Sequence, residues 1–280
     1  MNHLKMHTSV SAFLKAGPRR GPRILTGDIE TFPMMSYHFN TRNINISLDQ
    51  VIEEFSLMSG AFKWLGKPDT WYGDQSRIPD VRDDSKLALN MRDILDSTDF
   101  FIAHNGKGFD KRKINARVAL NGGKPYSQVQ VIDTYQLNKT QFGFDSQKLA
   151  YVSEHFSETP KSEHKEFPGF SMWRECLAGN RAAWKENRIY NITDVTSNEE
   201  MYLSLRGWYE GHPNLGPYVD DHGGNPVCPN CGSTHLVLRP QPHRTQVGIY
   251  TSYSCNNCGA QPRGRTLIAS KAQRAHITMR

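Results

Sequence analysis

Two carboxylates lie two residues apart in an apolar segment near the N-terminus, and this pair constrains the possible folds more than any other feature. The segment 23–32 is followed by Pro33, which is typical of a strand that ends there. Residues i and i+2 of a strand share a face, so Asp28 and Glu30 project together while Ile29 faces the other way. At the end of a buried strand the two acids repel each other, and a divalent cation would offset that repulsion. An exposed edge strand is the alternative.

Further acids follow at the ends of other apolar segments. Asp110 comes after an apolar strand and a Gly-containing turn, in the first turn of a helix, where an acid also serves ordinary dipole compensation. Tyr190 and Asp194 are four residues apart in a helical stretch, which places them on one helix face about 6 Å apart along the axis. Asp133 also ends a strand, and we expect it to be structural. Each motif alone is weak, but together they put four acids on three segments.

The four acids, in this order and each at the end of a core element, resemble the DEDD family of 3′–5′ exonucleases. Tyr190 matches the tyrosine-containing subgroup, because the histidine-containing subgroup would have His where this chain has Ile189. The stretch 28–31 resembles the first exonuclease motif of family B DNA polymerases and of phage-type stand-alone exonucleases. The resemblance covers about residues 23–209. It implies an α/β, ribonuclease-H-like fold with a mixed sheet flanked by helices.

Carried over residue by residue, the resemblance implies a two-metal-ion nuclease. The implied ligands of two Mg²⁺ or Mn²⁺ ions are Asp28, Glu30, Asp110 and Asp194. Asp28 would bridge both ions, and Tyr190 would orient the attacking water. Asn105 and Phe109 match positions that touch the terminal nucleotide, and Thr31 would offer backbone contacts there. Hard divalent ions prefer carboxylate oxygens, and two of them about 4 Å apart suit phosphodiester hydrolysis.

Four of the five cysteines form two Cys-x-x-Cys-Gly motifs, with strand-like segments at 235–238 and 246–254 between them. This pattern resembles a zinc ribbon with one structural Zn²⁺ in a tetrahedral site. The ligands would be Cys228, Cys231, Cys255 and Cys258. A redox role is the alternative, but two motifs with intervening strands favour a closed structural site. A fragment of about 50 residues buries too little core to fold alone, so the metal would hold it folded.

The charge of the chain is divided unevenly along the sequence. Residues 1–23 carry five Lys and Arg and no acid, and residues 222–280 carry seven and again no acid. Residues 24–221 hold the other 22 basic residues against all 28 acids. An acidic body with basic ends suits a protein that gathers carboxylates around metals and holds a polyanion with its ends. Basic ends that only aid solubility are the alternative.

We expect five segments along the chain. They are a basic flexible arm at 1–22, a ribonuclease-H-like exonuclease domain at 23–210, a linker at 211–226, a zinc ribbon at 227–262 and a basic tail at 263–280. No apolar run approaches the roughly 18 residues that a membrane span needs, and the short apolar stretch near the N-terminus is not a secretory signal. We therefore expect a cytoplasmic protein of a bacterial or phage-infected cell, neither secreted nor membrane-bound.

The leading functional hypothesis is a metal-dependent 3′–5′ exonuclease that acts on nucleic acid, with DNA favoured over RNA. Single-stranded DNA or a 3′ end would be the substrate. A polymerase domain does not fit in the remaining length, so a separate polymerase or replication protein is the candidate protein partner. Two alternatives stay open. One is a nucleic-acid-binding or partner-recruiting module with a nuclease-like fold, and the other is a structure-selective endonuclease or ribonuclease on the same fold.

Overall fold

The structure, a computed structural model, describes residues 5–161, 165–220 and 222–278. The body contains a six-stranded sheet and a separate two-stranded hairpin. In chain order the strands are β1 (Lys5–His7), β2 (Ile24–Phe32), β3 (Met35–Ser36), β4 (Val51–Glu53), β5 (Ser56–Trp64), β6 (Asp69–Asp74), β7 (Phe100–Ala103) and β8 (Gln130–Asp133). Strands β3 and β4 form the hairpin, and the other six form the large sheet.

The large sheet is mixed, with the order β1-β6-β5-β2-β7-β8. Strand β2 pairs antiparallel with β5 on one side and parallel with β7 on the other, and β8 continues the parallel half. Parallel strands end at the same edge, so the C-terminal ends of β2, β7 and β8 lie together there. This arrangement places the segments that carry the first two acidic motifs next to each other.

Helices cover both faces of the sheet. On one face lie α1 (Val10–Ala16), α2 (Ser85–Asp96) and α3 (Asp110–Leu120), and on the other lie α4 (Thr134–Gln141), α5 (Leu149–Phe156), α6 (Ser171–Leu177) and α7 (Arg181–Leu205). Successive side chains of β2 point to opposite faces of the sheet, which explains the two layers. Leu25 and Ile29 pack toward α1–α3. Ile24 and Phe32 pack toward α5–α7. The expected fold class, a mixed sheet flanked by helices, is confirmed.

Gly27 brings aromatic side chains close to the backbone of β2. A Cβ atom at this position would lie 2.2 Å from Cδ1 of Phe62 and 2.7 Å from Cε2 of Phe101. The absence of a side chain therefore lets both rings pack across the strand. Since Asp28 is the next residue, the packed rings fix the backbone that carries this carboxylate.

Helix α7 is 25 residues long and starts at Asn180, whose side chain accepts a hydrogen bond from the backbone of Ala182 at 3.0 Å. Toward its C-terminus, α7 has an apolar buried face. Near the middle of the helix, this face carries polar side chains at helical spacing. These buried polar residues are Asn187, Asn191, Asp194 and Asn198. Buried polar groups need partners, so this polar stripe marks where the helix meets other polar groups of the body.

The N-terminal segment differs from the arm expected at residues 1–22. Strand β1 pairs parallel with β6, and α1 buries Phe13 completely against the core. The Phe13 and Trp64 rings stack with centroids 5.1 Å apart, and the Trp64 indole donates to the Phe13 carbonyl at 3.1 Å. The basic composition of this segment suggested solvent exposure, but its few apolar residues have partners about fifty residues away in sequence, and local patterns do not show such pairing.

The C-terminal module contains β9 (Leu236–Leu238), β10 (His243–Thr245), β11 (Gly248–Cys255), β12 (Arg263–Leu267) and the short helix α8 (Lys271–Arg274). Strand β11 pairs antiparallel with the other three. The segment expected to be a tail beyond residue 262 therefore begins with a strand of this sheet. Its Arg- and Gly-rich sequence lacks the alternation typical of strands, and its pairing with β11 supplies the structure instead.

The module packs against the body just beyond the end of α7. The Asn230 side chain donates to the carbonyls of Arg206 at 2.7 Å and Tyr209 at 3.1 Å, and it is itself buried. A Cβ atom on Gly207 would lie 2.0 Å from the carbonyl oxygen of Cys258, so the two backbones touch there. These contacts fix the module to the body.

Within the described ranges no helix combines the length and apolarity that a membrane crossing requires.

We predict that Phe13→Ala destabilises the whole body, because it removes a fully buried ring that stacks on Trp64. The loss should be about 3–5 kcal/mol in the free energy of unfolding, measured by chemical denaturation. Met6→Ala is the matched control, since Met6 is 46% exposed on β1 and its loss should stay within about 0.5 kcal/mol. Equal, small effects of both substitutions would mean that the segment does not belong to the core.

Candidate functional site

The structure brings the four acids of the sequence motifs together. Asp28 and Glu30 come from β2, Asp110 begins α3, and Asp194 lies in the middle of α7. Burial raises the pKa of Asp28 well above its usual value, and the charges of Asp194, Asp110 and Glu30 raise it further. Asp28 thus lies within electrostatic reach of the other three acids and is central to the group.

Neighbouring groups hold three of the carboxylates in place. The Asn191 side chain, from α7, donates to Asp28 at 2.5 Å. The Trp173 indole, from α6, donates to Glu30 at 3.2 Å. The backbone N–H of Ile29 donates to Asp110 at 3.2 Å, which ties the start of α3 to β2. These bonds keep mutually repelling side chains at fixed positions.

Asp194 has one charged partner and one free oxygen. Its Oδ2 accepts from the Lys161 ammonium group in a short ion pair, and its Oδ1 is buried without a hydrogen-bond partner among the described residues. Burial alone would lower the pKa of Lys161, but the negative charges around it outweigh burial and leave the pKa raised, so the ammonium group keeps its proton. A buried, unpartnered carboxylate oxygen is an available ligand atom.

Tyr190 lies one helical turn before Asp194 and shares its surroundings. The Lys161 Nζ atom lies 4.3 Å from the centroid of the Tyr190 ring. Burial, followed by the charge of Asp194, raises the pKa of Tyr190 to about 12, although Lys161 acts in the opposite direction. The phenol hydroxyl therefore keeps its proton at neutral pH.

The carboxylates disfavour one another's ionisation. Burial is the largest cause in each case, and it raises the pKa of Glu30 to about 8, of Asp110 to about 7 and of Asp194 to about 6. The charge of Asp194 adds to the effect on Glu30. In the absence of a cation, the four groups are therefore not all ionised at neutral pH. A divalent cation would stabilise the ionised forms.

The turn before Asp110 is anchored by Asp133. This carboxylate, at the end of β8, accepts from the backbone N–H groups of Asn105 at 3.1 Å and Lys107 at 2.9 Å. Asn105 has a φ of 69°, a left-handed conformation that costs energy in most residues and persists here because these bonds fix the turn. Asp133 thus has the structural position that the sequence suggested, since its oxygens are engaged with the turn.

The three residues expected to touch substrate border the carboxylates. Thr31 follows Glu30 at a register shift in the pairing of β2 with β5. Phe109 immediately precedes Asp110, and its ring packs partly against the core. Asn105 lies in the anchored turn, and all three side chains are half-buried, so each keeps a surface open to a ligand.

Sequence reasoning missed three residues that the structure places at the site: Lys161, Trp173 and Asn191. Asn191 carried a detectable signal, because it precedes Asp194 by three residues and so shares its helix face. Lys161 and Trp173 lie on separate segments, and no spacing connects them to the acids. Only the tertiary fold shows that they belong to the group.

The four motif cysteines form a second cluster, in the C-terminal module. Their sulfur atoms all lie within 4.8 Å of one another. Among the described residues, this is the group of three or more His, Cys, Asp or Glu side chains whose candidate ligand atoms lie that close together. The Cys228–Cys258 and Cys231–Cys255 sulfur pairs are each 3.6 Å apart. Tetrahedral coordination with Zn–S bonds of about 2.3 Å requires sulfur–sulfur distances of roughly 3.8 Å, so the cluster has the right size for zinc.

No protein-family model and no curated protein matches this chain. Among solved structures, a family B DNA polymerase from the hyperthermophilic archaeon Pyrobaculum calidifontis is similar over 66% of this chain and 24% of its own, with 18% identity and a TM-score of 0.48. Trypanosoma brucei RNase D is similar over 80% of this chain and 66% of its own, with 14% identity and a TM-score of 0.40. The chain thus spans about a quarter of the polymerase's length and about two thirds of RNase D's. Such scores establish neither activity nor substrate.

We predict that without divalent cations the protein loses stability as the pH rises from about 4 to about 8, the range between the ordinary and the raised pKa values of Glu30 and Asp110. The native pKa values of Glu30 and Asp110 are raised, so the native state binds more protons than the unfolded chain until the pH passes those values. Melting temperatures in buffer freed of metal by a chelating resin measure this. Added Mg²⁺ or Mn²⁺ should restore stability mainly at the higher pH.

Asp28→Asn tests the cause of this pH dependence, because it removes the central charge of the group. The variant should melt above the wild type at high pH without metal, and it should gain less from added Mg²⁺. Asp93→Asn, at an exposed position of α2, is the control and should behave like the wild type. A metal-free wild type that becomes more stable toward high pH would contradict the electrostatic description.

Proposed function

We propose that this chain is a metal-dependent 3′–5′ exonuclease that hydrolyses phosphodiester bonds in DNA. The observation that carries the proposal is that Asp28, Glu30, Asp110 and Asp194, from three distant segments, form one electrostatically interacting group around Asp28. A fold gains no stability by bringing four acids together, because each loses hydration and repels the others. Their convergence is explained by a bound cationic species.

The donor set suits two Mg²⁺ or Mn²⁺ ions. All four candidate ligands are carboxylates, which these ions prefer, and the Oδ1 of Asp194 has no hydrogen-bond partner among the described residues. Asp28, Glu30, Asp110 and Asp194 would together hold the two ions. When bound, the ions would supply an activated water and relief of charge on the reacting phosphate.

The side chains around the carboxylates would position the reactants. The protonated Tyr190 hydroxyl is suited to orient the attacking water, which would place the chain in the tyrosine-containing subgroup of DEDD exonucleases. Lys161 holds Asp194 and the Tyr190 ring in place. Thr31, Asn105 and Phe109 would contact the terminal nucleotide, so that the scissile phosphate lies against the acids. Membership of this subgroup would mean that the strand is degraded from its 3′ end.

The cysteine cluster would hold one structural Zn²⁺. The sulfur spacing fits a tetrahedral site, and the small sheet around it has few large buried apolar residues. The metal would therefore provide much of the stability of the module. Residues 211–226 would connect the proposed nuclease domain to this module, and Leu215 and Tyr218 within them pack against the core of the body.

We predict that the purified full chain shortens single-stranded DNA from its 3′ end in the presence of Mg²⁺ or Mn²⁺. A 5′-labelled oligonucleotide should give a ladder of successively shorter products on a sequencing gel, and omission of divalent ions should stop the reaction. Asp194→Asn should lower the rate more than tenfold, because it removes a ligand charge on which metal catalysis depends. Asp93→Asn should keep wild-type activity.

The same gel separates the alternatives. Products cut at internal positions would indicate an endonuclease, and cleavage of RNA but not DNA would indicate a ribonuclease. Binding of DNA without any metal-dependent cleavage, in a folded protein, would leave the chain as a binding module. Activity in Asp194→Asn equal to the wild type would remove this site from consideration.

We predict that Tyr190→Phe slows the chemical step about ten- to a thousand-fold, since a positioned proton-handling group is worth about 10² to 10⁴ in rate. Phe keeps the ring beneath Lys161, so the melting temperature and the substrate affinity should hardly change. Single-turnover rates of the two proteins at saturating substrate measure the effect. A Phe variant as fast as the wild type would exclude a role for the hydroxyl, although the carboxylate site would survive that result.

A further inference from the structure

The sheet of the C-terminal module carries an aromatic and cationic face. Tyr250 on β11 is directly opposite His243 on β10 and Leu267 on β12, so the three side chains share one face. Arg263, opposite Ser252, lies on the same face, and its guanidinium carbon is 4.1 Å from the centroid of the Tyr250 ring. The phenol and the guanidinium group thus form a stacked pair on the sheet.

The stacked pair is open to a ligand. Arg263 is exposed and Tyr250 half-buried. One N–H group of Arg263 donates to the carbonyl of Gly264 at 3.1 Å, which fixes the guanidinium plane and leaves most of its donors free. A planar cation held flat on an aromatic ring presents a second plane for stacking and N–H groups for an anion.

The charge of the module determines which ligand fits. No acid occurs between residues 222 and 280 of the sequence. Within the described residues the sheet and its flanks carry several further cations, namely Arg239, Arg244, Arg265, Lys271 and Arg274. A ligand with repeated negative charge and flat apolar rings complements both properties. Nucleic acid has phosphates for the cations and bases for the stacked pair, and a single strand leaves its bases free to stack.

We propose that the face formed by His243, Tyr250, Arg263 and Leu267 is a second binding site for single-stranded nucleic acid, separate from the carboxylate site. This second site deepens the proposed nuclease function. It rests on that function in one respect, namely that the same strand would extend from the module to the carboxylates. One base stacks on the guanidinium group of Arg263, and neighbouring phosphates meet the surrounding arginines. The module thereby retains the strand while its end lies at the acids.

The distance between the two sites determines which strands can contact both at once. Asp194 and the end of α7 at Leu205 are eleven residues apart, about 17 Å along the helix. The module docks just beyond that end, through Asn230. At about 3.4 Å per stacked nucleotide, a strand of about four nucleotides spans roughly 14 Å and does not reach from the acids to the module. A strand of about 30 nucleotides reaches both sites.

The test is the affinity of the full chain for fluorescein-labelled oligothymidylates of about four and about 30 nucleotides, without divalent ions so that no hydrolysis occurs. Arg263→Gln should weaken binding of the long strand about fivefold or more, and the salt dependence should flatten by about 0.7 in log–log slope, the contribution of one phosphate contact. Binding of the short strand should weaken too, because without divalent ions the net negative carboxylate site does not attract it and the module alone holds it.

Two further variants separate stacking from charge. Arg263→Lys keeps the positive charge but removes the planar guanidinium group. The variant should therefore retain the salt slope but still bind the long strand more weakly than the wild type. Lys15→Gln removes one exposed charge at the end of α1 and should leave both affinities unchanged. Each variant should retain one zinc per chain by elemental analysis, which shows that the module is intact.

The outcomes distinguish this proposal from the nuclease assignment. Wild-type affinity of Arg263→Gln for the long strand overturns the second site, whether or not the protein cleaves DNA, and would instead favour a protein partner for the module. A loss for Lys15→Gln equal to that for Arg263→Gln also overturns it, because the effect would then come from overall charge and not from this face. A loss specific to Arg263→Gln in a protein that does not cleave supports the second site alone. The same lengths of oligouridylate show whether RNA is held too, and a loss specific to Arg263→Gln with either polymer supports the site.

Discussion

The cost of gathering four carboxylates, through loss of hydration and mutual repulsion, is the constraint around which this structure is organised. Burial raises the pKa of Asp194 from 3.8 to about 6 against the opposing charge of Lys161, which corresponds to roughly 3 kcal/mol between its two protonation states. Burial of one large apolar side chain contributes a similar amount, roughly 1.5–3 kcal/mol. Buried apolar residues of α7, such as Val195 beside this acid and Leu205 about three turns beyond it, therefore offset this cost. The core on both sides of β2 holds the acids together against their repulsion.

Helix α7 connects this constraint to the rest of the chain. Its middle supplies Tyr190, Asn191 and Asp194, and its C-terminal part packs into the core beside β2. Just beyond its end, the backbone carbonyls of Arg206 and Tyr209 receive the Asn230 side chain of the cysteine module. Because one continuous helix spans both regions, the position of the module relative to the acids is set by packing and not by a loose linker. A strand held by the module would therefore meet the acids in a defined direction.

The sequence was sufficient where function required local patterns. Two-residue spacing in β2 and four-residue spacing in α7 predicted which side chains share a face, and the two cysteine motifs predicted the second cluster. It was insufficient where pairing is non-local. Residues 65–82 are rich in Gly, Pro and Asp, a composition typical of a loop, yet β6 lies within them because β5 and β1 pair with its two edges. The position of Lys161 next to α7 likewise depends on the tertiary fold, and no local sequence pattern predicts it.

Lys161 shows how far the protein itself compensates the carboxylates. Among the described residues, it is the cationic side chain whose charge lowers the pKa of both Asp28 and Glu30. One ammonium group against four acids leaves a net negative site, and among the described residues it leaves the Oδ1 atom of Asp194 without a partner. Complete neutralisation by further lysines would stabilise the fold but would remove the attraction for the proposed divalent ions. Partial compensation would hold the acids together and still leave the negative charge that such ions require.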